Sequence, residues 1–266
     1  MMNKKIGAIV GVFAITVVIA SLGCIESGGS VKDIAKMTPE GANSLIYSDL
    51  QTMRDDRDLR DIYKDMKKSG TSEIDELEID FDDVNYIATT LGGIEIIEGK
   101  FDLKDLRDEL DDLDFDKDEY KGVEFWIGEY DEVVAISGNK LILGDDKQVK
   151  SCIKVIKGDR TSMYDDEDVR DVINKLPSGI FTMVSTYPPY ENALVMGYAM
   201  IKEDEDTMKI KGVVKFDDDE DVEDAKSDLK REMKEEDKMF DVDVTQSGKF
   251  LEFSAKFDIE DWEEAL

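Results

Sequence analysis

The chain has 266 residues, and 41% of them are hydrophobic, which is enough to build a folded core and excludes wholesale disorder. Charged residues make up 37% of the chain, and 65 acidic against 34 basic residues give a formal net charge of −31. A field of that sign repels phosphate backbones, so we expect no nucleic-acid partner. With two cysteines and no histidine, a disulfide scaffold, a Cys/His zinc site and a histidine-based triad are excluded.

The N-terminus has the pattern of a membrane-targeting segment. A basic start at Lys4 and Lys5 is followed by the uncharged run Ile6 to Leu22, as in a secretory signal. Ser21-Leu22-Gly23-Cys24 comes next and resembles the lipobox of prokaryotic lipoproteins, although that family prefers an aliphatic residue at the first of these positions and a small one at the second. In that family the cysteine becomes the first residue and carries the lipid, so the resemblance implies lipidation of Cys24.

An uncleaved anchor helix is the alternative interpretation. Ile6 to Ile25 is long enough to cross a hydrocarbon core of ~30 Å at ~1.5 Å per residue. Both interpretations place the chain after Glu26 outside the cell membrane, and Ser27-Gly28-Gly29-Ser30 predicts a flexible tether. We therefore assign residues 1–23 to a signal peptide or membrane anchor and residues 24–37 to the lipidation site and a flexible tether.

Hydrophobic periodicity predicts alternating strands and helices in the rest of the chain. The predicted strands cover residues 44–50, 84–91, 94–101, 123–130, 133–137, 140–143, 180–186, 194–202, 208–216, 240–245 and 251–257. The predicted helices contain the apolar stripes 59–66, 103–113, 149–156, 169–176, 222–233 and 259–266. Gly92-Gly93 has the composition of a tight hairpin between two of these strands.

Short, hairpin-like connections predict an α+β fold in which an antiparallel β-sheet, or more than one, carries helices packed on one face. Lys100-Phe101-Asp102 is echoed by Lys256-Phe257-Asp258, with a strand ending on Phe and an Asp at the helix N-cap. A duplicated hairpin-plus-helix unit would produce two similar halves, which we place at residues 38–158 and 159–266. Ordinary helix capping is the alternative explanation of the echo.

Alternating aspartates form the candidate metal site. Asp112, Asp114, Asp116 and Asp118 offer several carboxylate oxygens, which hard cations such as calcium prefer. Counted from Asp114, the positions of an EF-hand that need Gly and Glu hold other residues, so this is not an EF-hand. The alternative is that these carboxylates are solvated or cap a helix. Apart from calcium, no cofactor is expected.

Tyr187-Pro188-Pro189-Tyr190 is the candidate binding segment. As a loop between two strands, it would present Tyr187 and Tyr190 to a protein partner, or else form a rigid turn that covers the end of the sheet. Cys152 lies on the apolar stripe of its helix, so we interpret it as a core residue and not as a nucleophile. Trp126 is expected to be covered.

The organisation as a whole resembles surface lipoproteins of prokaryotes, archaeal ones in particular. We expect a membrane-anchored, extracytoplasmic binding or protein-interaction module without catalysis, held to the membrane through a lipid or an anchor helix. The alternative is a surface binder of a small solute or of a divalent cation, calcium, through the acidic loops. An accessory enzyme is a third interpretation, which only a pocket with convergent polar groups would support.

Overall fold

The structure is a computed structural model that describes residues 30–69, 74 and 77–263. Its strands are β1 Ser44–Ser48, β2 Val84–Thr89, β3 Glu95–Gly99, β4 Asp116–Tyr120, β5 Val123–Ile127, β6 Glu132–Ser137, β7 Lys140–Asp145, β8 Phe181–Ser185, β9 Ala193–Lys202, β10 Thr207–Phe216, β11 Phe240–Ser247 and β12 Phe250–Asp258. They form one sheet in the order β11-β12-β10-β9-β8-β1-β2-β3-β7-β6-β5-β4. Every neighbouring pair is antiparallel.

The helices start largely where an aspartate or serine side chain caps the first turn. Their bounds are α1 Val31–Ala35, α2 Leu50–Asp55, α3 Arg60–Ser69, α4 Leu103–Asp112, α5 Asp146–Ile156, α6 Glu167–Lys175, α7 Glu220–Glu235 and α8 Ile259–Glu263. Asp102 accepts a hydrogen bond of 2.8 Å from the Lys104 amide at the start of α4, and Asp145 forms a capping box with Gln148 at the start of α5. These caps satisfy amides that have no partner inside a helix.

Helices cover both faces of the sheet. The α+β class and the antiparallel sheet are thus confirmed, but the expected packing of helices on one face is wrong. On β1, Ile46 belongs to one buried cluster, whereas Leu45 and Tyr47 belong to the other. We call the side packed by α2, α3, α4, α7 and α8 the front face, and the side packed by α1, α5 and α6 the back face. The cause lies in the central strands, since β1 and β2 are buried along their whole length and need cover on both sides.

Two segments differ from the sequence-based expectation. Residues 24–37 were expected to include a flexible tether, yet Val31, Ile34 and Ala35 of α1 are buried against the back face. The acidic segment that was interpreted as a loop contains β4, an edge strand with four exposed charged residues. Charges on an edge strand discourage pairing with other chains. Aspartate is therefore found in this strand although its strand propensity is low.

The two predicted halves form one continuous sheet that joins at β1 and β8. Ile46 pairs with Met183 at the middle of both strands. On the first side, β2 and β3 form a hairpin, the front-face helix α4 follows, and β7 later pairs with β3. On the second side, β9 and β10 form a hairpin, the front-face helix α7 follows, and β12 later pairs with β10. The two sides therefore share a strand order around a local two-fold axis, and the first side carries one additional hairpin. Their common origin stays a prediction.

Candidate functional site

A row of paired residues crosses the front face of the whole sheet. From one edge to the other it contains Lys117, Trp126, Val134, Leu143, Glu95, Thr89, Ile46, Met183, Tyr198, Gly212, Phe253 and Val244. Four consecutive members of this row form the floor of a cleft of about 500 Å³, namely Val134, Leu143, Glu95 and Thr89. The cleft is the candidate functional site.

The walls of the cleft come from two connections. Leu113 and Phe115 follow α4, where Asp114 adopts a positive φ of 59° that turns the chain toward β4. On the other side, Tyr130 and Asp131 come from the turn between β5 and β6, and Glu132 is the first residue of β6. Leu77 completes the apolar wall. The cleft thus has an apolar interior and opens where strands end.

An ion-pair cluster fixes α4 above the sheet and so holds one wall in place. Arg107 of α4 donates to Glu124 of β5 through two guanidinium nitrogens, with Nε–Oε1 and Nη2–Oε2 distances of 2.9 Å. Lys117 and the indole Nε1 of Trp126 donate to the same carboxylate at 2.9 and 3.0 Å. The hydrogen bonds from Arg107 in particular lower the pKa of Glu124 to about 2, so it is ionised at neutral pH.

The polar groups of the cleft carry one sign of charge. Its lining includes four carboxylates, those of Glu95, Asp131, Glu132 and Asp145, and none of the described lining residues is a lysine or an arginine. On the floor, the hydroxyl of Thr89 is buried and has no hydrogen-bond partner among the described residues. A buried hydroxyl without a partner is uncommon, because it has lost its water without compensation. The cleft therefore suits a ligand that is cationic and partly apolar.

The corresponding position in the second half is closed. Counting outward from the centre of the row, the corresponding residues are Thr89 and Tyr198, Glu95 and Gly212, Leu143 and Phe253, and Val134 and Val244. Tyr198 is fully buried and stacks on Phe181, and the ring of Phe253 lies directly over Gly212. In addition, α7 has 16 residues against 10 in α4, so it covers more of the sheet. Smaller side chains at two of the four positions, Thr89 and Leu143, and a shorter helix leave the first half open.

The cleft opens at one end of the sheet, and three exposed apolar side chains lie at the same end. We call this end of the sheet the rim. Leu91 is 58% exposed, Tyr130 82% and Tyr187 73%. The Leu91 amide donates to Ser44 Oγ at the start of β1, and Tyr187 follows the end of β8, the partner of β1. From Tyr187 to Tyr130 the rim spans five strand spacings, roughly 24 Å at ~4.8 Å each.

The chain enters the described fold at the opposite end. Ser30 lines a small cavity together with Asp49, which follows β1, and Gly179, which precedes β8. Both of these lie at the end of the β1–β8 pair away from Ser44 and Ser185. The rim and Ser30 are thus separated by the length of the central strands.

The predicted binding and metal residues are only partly brought together. Tyr187 is exposed, but Tyr190 is buried and packs on Phe216, with ring centroids 6.3 Å apart. Asp112 is the last residue of α4 and Asp114 lies in the following turn, whereas Asp116 and Asp118 belong to β4. Within the part of the chain that the structure describes, no three acidic or cysteine side chains converge as metal ligands.

Other sequence predictions concern single residues. Cys152 is fully buried, as predicted for a core residue, and burial raises the pKa of its thiol to about 12. Trp126 is covered, as expected. Cys24 and the candidate anchor lie outside the described residues. Across residues 30–69, 74 and 77–263, no helix is long and apolar enough to span a bilayer.

Sequence reasoning missed Thr89, Glu95, Tyr130 and the rest of the cleft. One available signal was Leu91, an apolar residue directly before the Gly92-Gly93 turn, because turns lie at the surface of a protein. The cleft itself had no local signal, since its four floor residues come from two hairpins, β2–β3 and β6–β7, that are separated in sequence and joined only by the pairing of β3 with β7.

The chain has archaeal relatives. It is 24% identical over 249 residues to the uncharacterised protein MJ0635 of Methanocaldococcus jannaschii, and the alignment covers 86% of this chain and 87% of that protein. It is also 25% identical over 181 residues to the uncharacterised protein MJ1281 of the same organism, which covers 62% of this chain and 16% of the relative. The chain therefore spans most of the first relative's length and a small part of the second's. No family model and no solved structure matches it.

Proposed function

We propose that this protein is a membrane-anchored, extracytoplasmic lipoprotein that acts as a binding and protein-interaction module without catalysis. The observation that carries the proposal is the rim, where Leu91, Tyr130 and Tyr187 are exposed along one end of the sheet. Large aromatic and aliphatic side chains exposed on one surface are typical of interaction sites. The occupant we propose is a protein at the cell surface.

The N-terminal sequence supports the direction of this interaction. Cys24, in its lipobox-like setting, lies six residues before Ser30. Because Ser30 lies at the end of the sheet away from the rim, a short connection from a lipidated Cys24 would direct the rim away from the membrane. A partner in the same membrane or beyond it could then reach Leu91 and Tyr187.

The chemistry of the chain supports a role without catalysis. The sequence contains no histidine, the commonest general base. The thiol of Cys152 is buried with a raised pKa, which opposes formation of the nucleophilic thiolate.

Site-specific crosslinking tests the interaction. A photoreactive phenylalanine analogue at position 187 of the full chain, irradiated in native membranes, should capture one protein in stoichiometric yield. The matched control is the same analogue at Phe240, an exposed aromatic residue at the other end of the sheet. Capture at position 240 but not at 187, or no capture at either, contradicts the proposed rim interaction.

Mass spectrometry of the mature N-terminus tests the anchor. A lipid-modified Cys24 as first residue is expected in the wild-type chain. Retention of residues 1–23 with an unmodified Cys24 in the wild-type chain would assign the uncleaved anchor helix instead.

The second candidate function is a surface binder of a small solute. The cleft favours it, because about 500 Å³ of partly apolar space lies within the range of ligand pockets in proteins. The calcium hypothesis for Asp112, Asp114, Asp116 and Asp118 remains a prediction. It is tested by whether calcium raises the melting temperature more than sodium does at matched ionic strength.

A further inference from the structure

We infer that the cleft on the front face, beside the segment that follows α4, is a binding site for an organic cation with an apolar body, such as a primary amine attached to a ring or a chain of comparable size. The inference deepens the solute-binding alternative of the proposed function, and it does not depend on a protein partner at the rim.

The apolar part of the ligand is indicated by the walls. Leu77, Leu113 and Phe115 on one side and Val134 and Leu143 on the floor present hydrocarbon surface to the same space. In the corresponding position of the second half, the protein fills this space with its own rings, Tyr198 and Phe253. Since a well-packed core leaves few voids, the volume of about 500 Å³ in the first half is not explained by packing alone.

The cationic part of the ligand is indicated by the sign of the lining. Glu95 lies on the floor, Asp131 and Glu132 lie in one wall, and Asp145 lies at the rim. No described lining residue supplies a positive charge. The protein as a whole is also strongly acidic, with a net charge of −31, so anions would be repelled from this cleft and cations attracted.

The buried hydroxyl of Thr89 points to a ligand independently of the carboxylates. It lines the cleft and has no hydrogen-bond partner among the described residues. An ammonium group held near Glu95, its neighbour across the β2–β3 pair, can donate to the hydroxyl oxygen as well as to a carboxylate. Such a ligand would satisfy a polar group that the described residues leave unsatisfied.

Calorimetric titration of the full chain in nanodiscs tests this inference, with 2-phenylethylamine as the probe. We expect one molecule bound per chain at 150 mM salt, where the general attraction of the acidic surface is screened beyond ~8 Å. The neutral analogue 2-phenylethanol and the small cation methylammonium should each bind at least tenfold more weakly. Equal binding of the amine and the alcohol, or of the two cations, would overturn the inference.

Two variants locate the binding. Glu95→Gln should weaken 2-phenylethylamine binding at least fivefold, whereas Glu205→Gln, the same change at an exposed residue of the β9–β10 turn, should leave it unchanged. Leu143→Phe, which copies Phe253 into the cleft, should abolish binding while the chain stays folded by circular dichroism. Undiminished binding to Glu95→Gln, or to folded Leu143→Phe, contradicts the assignment.

The cation could be a free solute or the lysine of a polypeptide. N-acetyl-phenylalanyl-lysine amide, titrated beside 2-phenylethylamine, separates these sources, since tighter binding of the peptide assigns the site to a lysine side chain and tighter binding of the amine assigns it to a solute. Crosslinking through position 187 is scored separately. Amine binding without crosslinking therefore removes only the rim interaction, and crosslinking without amine binding removes only the ligand assigned to the cleft.

Discussion

The two sides of the β1–β8 pair share a strand order and are related by a local two-fold axis. They differ in how the front face of the sheet is filled. On the second side, Tyr198 and Phe253 fill the row of residues beneath a helix of 16 residues. On the first side, Thr89 and Leu143 hold the corresponding places beneath a helix of 10 residues, and a cleft of about 500 Å³ remains. A shared topology can therefore be closed by large side chains for stability or left open where a ligand can bind.

The largest expected effect comes from opening the closed side. Tyr198→Thr gives the second side the residue that Thr89 provides in the first, and it removes a fully buried ring. We expect the free energy of unfolding to fall by ~3–5 kcal/mol, as for other large-to-small changes in cores. Urea denaturation measures this change, and Tyr130→Ala serves as the exposed control. A loss below ~1 kcal/mol would show that the second side does not depend on this ring.

The next effect concerns how the helices are attached. Glu124 ties α4 to the sheet through Arg107, whereas buried apolar residues such as Leu229 hold α7. Glu124→Gln should lower the free energy of unfolding by ~1–3 kcal/mol at pH 7, because the guanidinium loses its ionised partner. Hydrogen exchange should increase in α4 and stay unchanged in α7. Equal increases in the two helices would contradict a local role.

The same carboxylate makes this contribution depend on pH. Its pKa in the folded protein is about 2, below the ordinary value of 4.5, so the stabilisation is complete above pH 4.5 and is lost as the pH falls toward 2. The difference in stability between the wild type and Glu124→Gln should shrink over this interval. A difference that stays constant would show that the carboxylate is not held ionised by its partners.

A smaller effect is expected from closing the open side. Leu143→Phe enters existing space and should change the free energy of unfolding by less than ~1 kcal/mol. Ile142→Phe adds volume to the packed back face and should cost ~1–3 kcal/mol. Denaturation midpoints of the two variants decide the matter. Equal losses would mean that the cleft has no room for the ring.

The smallest effect on stability belongs to the rim. Leu91→Ser and Tyr187→Ser alter exposed side chains and should change the unfolding free energy by no more than ~0.5 kcal/mol. Crosslinking at the neighbouring rim positions should nevertheless fall severalfold. Loss of stability without loss of crosslinking would assign these residues to packing.

Local patterns in the sequence determined the elements and their order well. The apolar stripe of residues 103–113 and the N-cap at Asp102 predict α4 correctly, and Gly92-Gly93 predicts the hairpin of β2 and β3. Cys152 and Trp126 were correctly assigned to the interior. Each of these features depends on neighbours in the chain, such as periodicity, capping or turn chemistry, which a single sequence contains.

Only the tertiary structure decided which faces are covered, where β4 lies and where the cleft opens. β1 and β2 are buried on both sides because helices from distant segments, such as α1 and α6, reach the back face. Asp116 and Asp118 belong to a strand because β5 offers an edge to pair with. The cleft joins Thr89, Glu95, Leu143 and Val134 through pairings between four strands. Sequence periodicity is a property of one segment, whereas register between strands and the volume left between layers depend on all segments together.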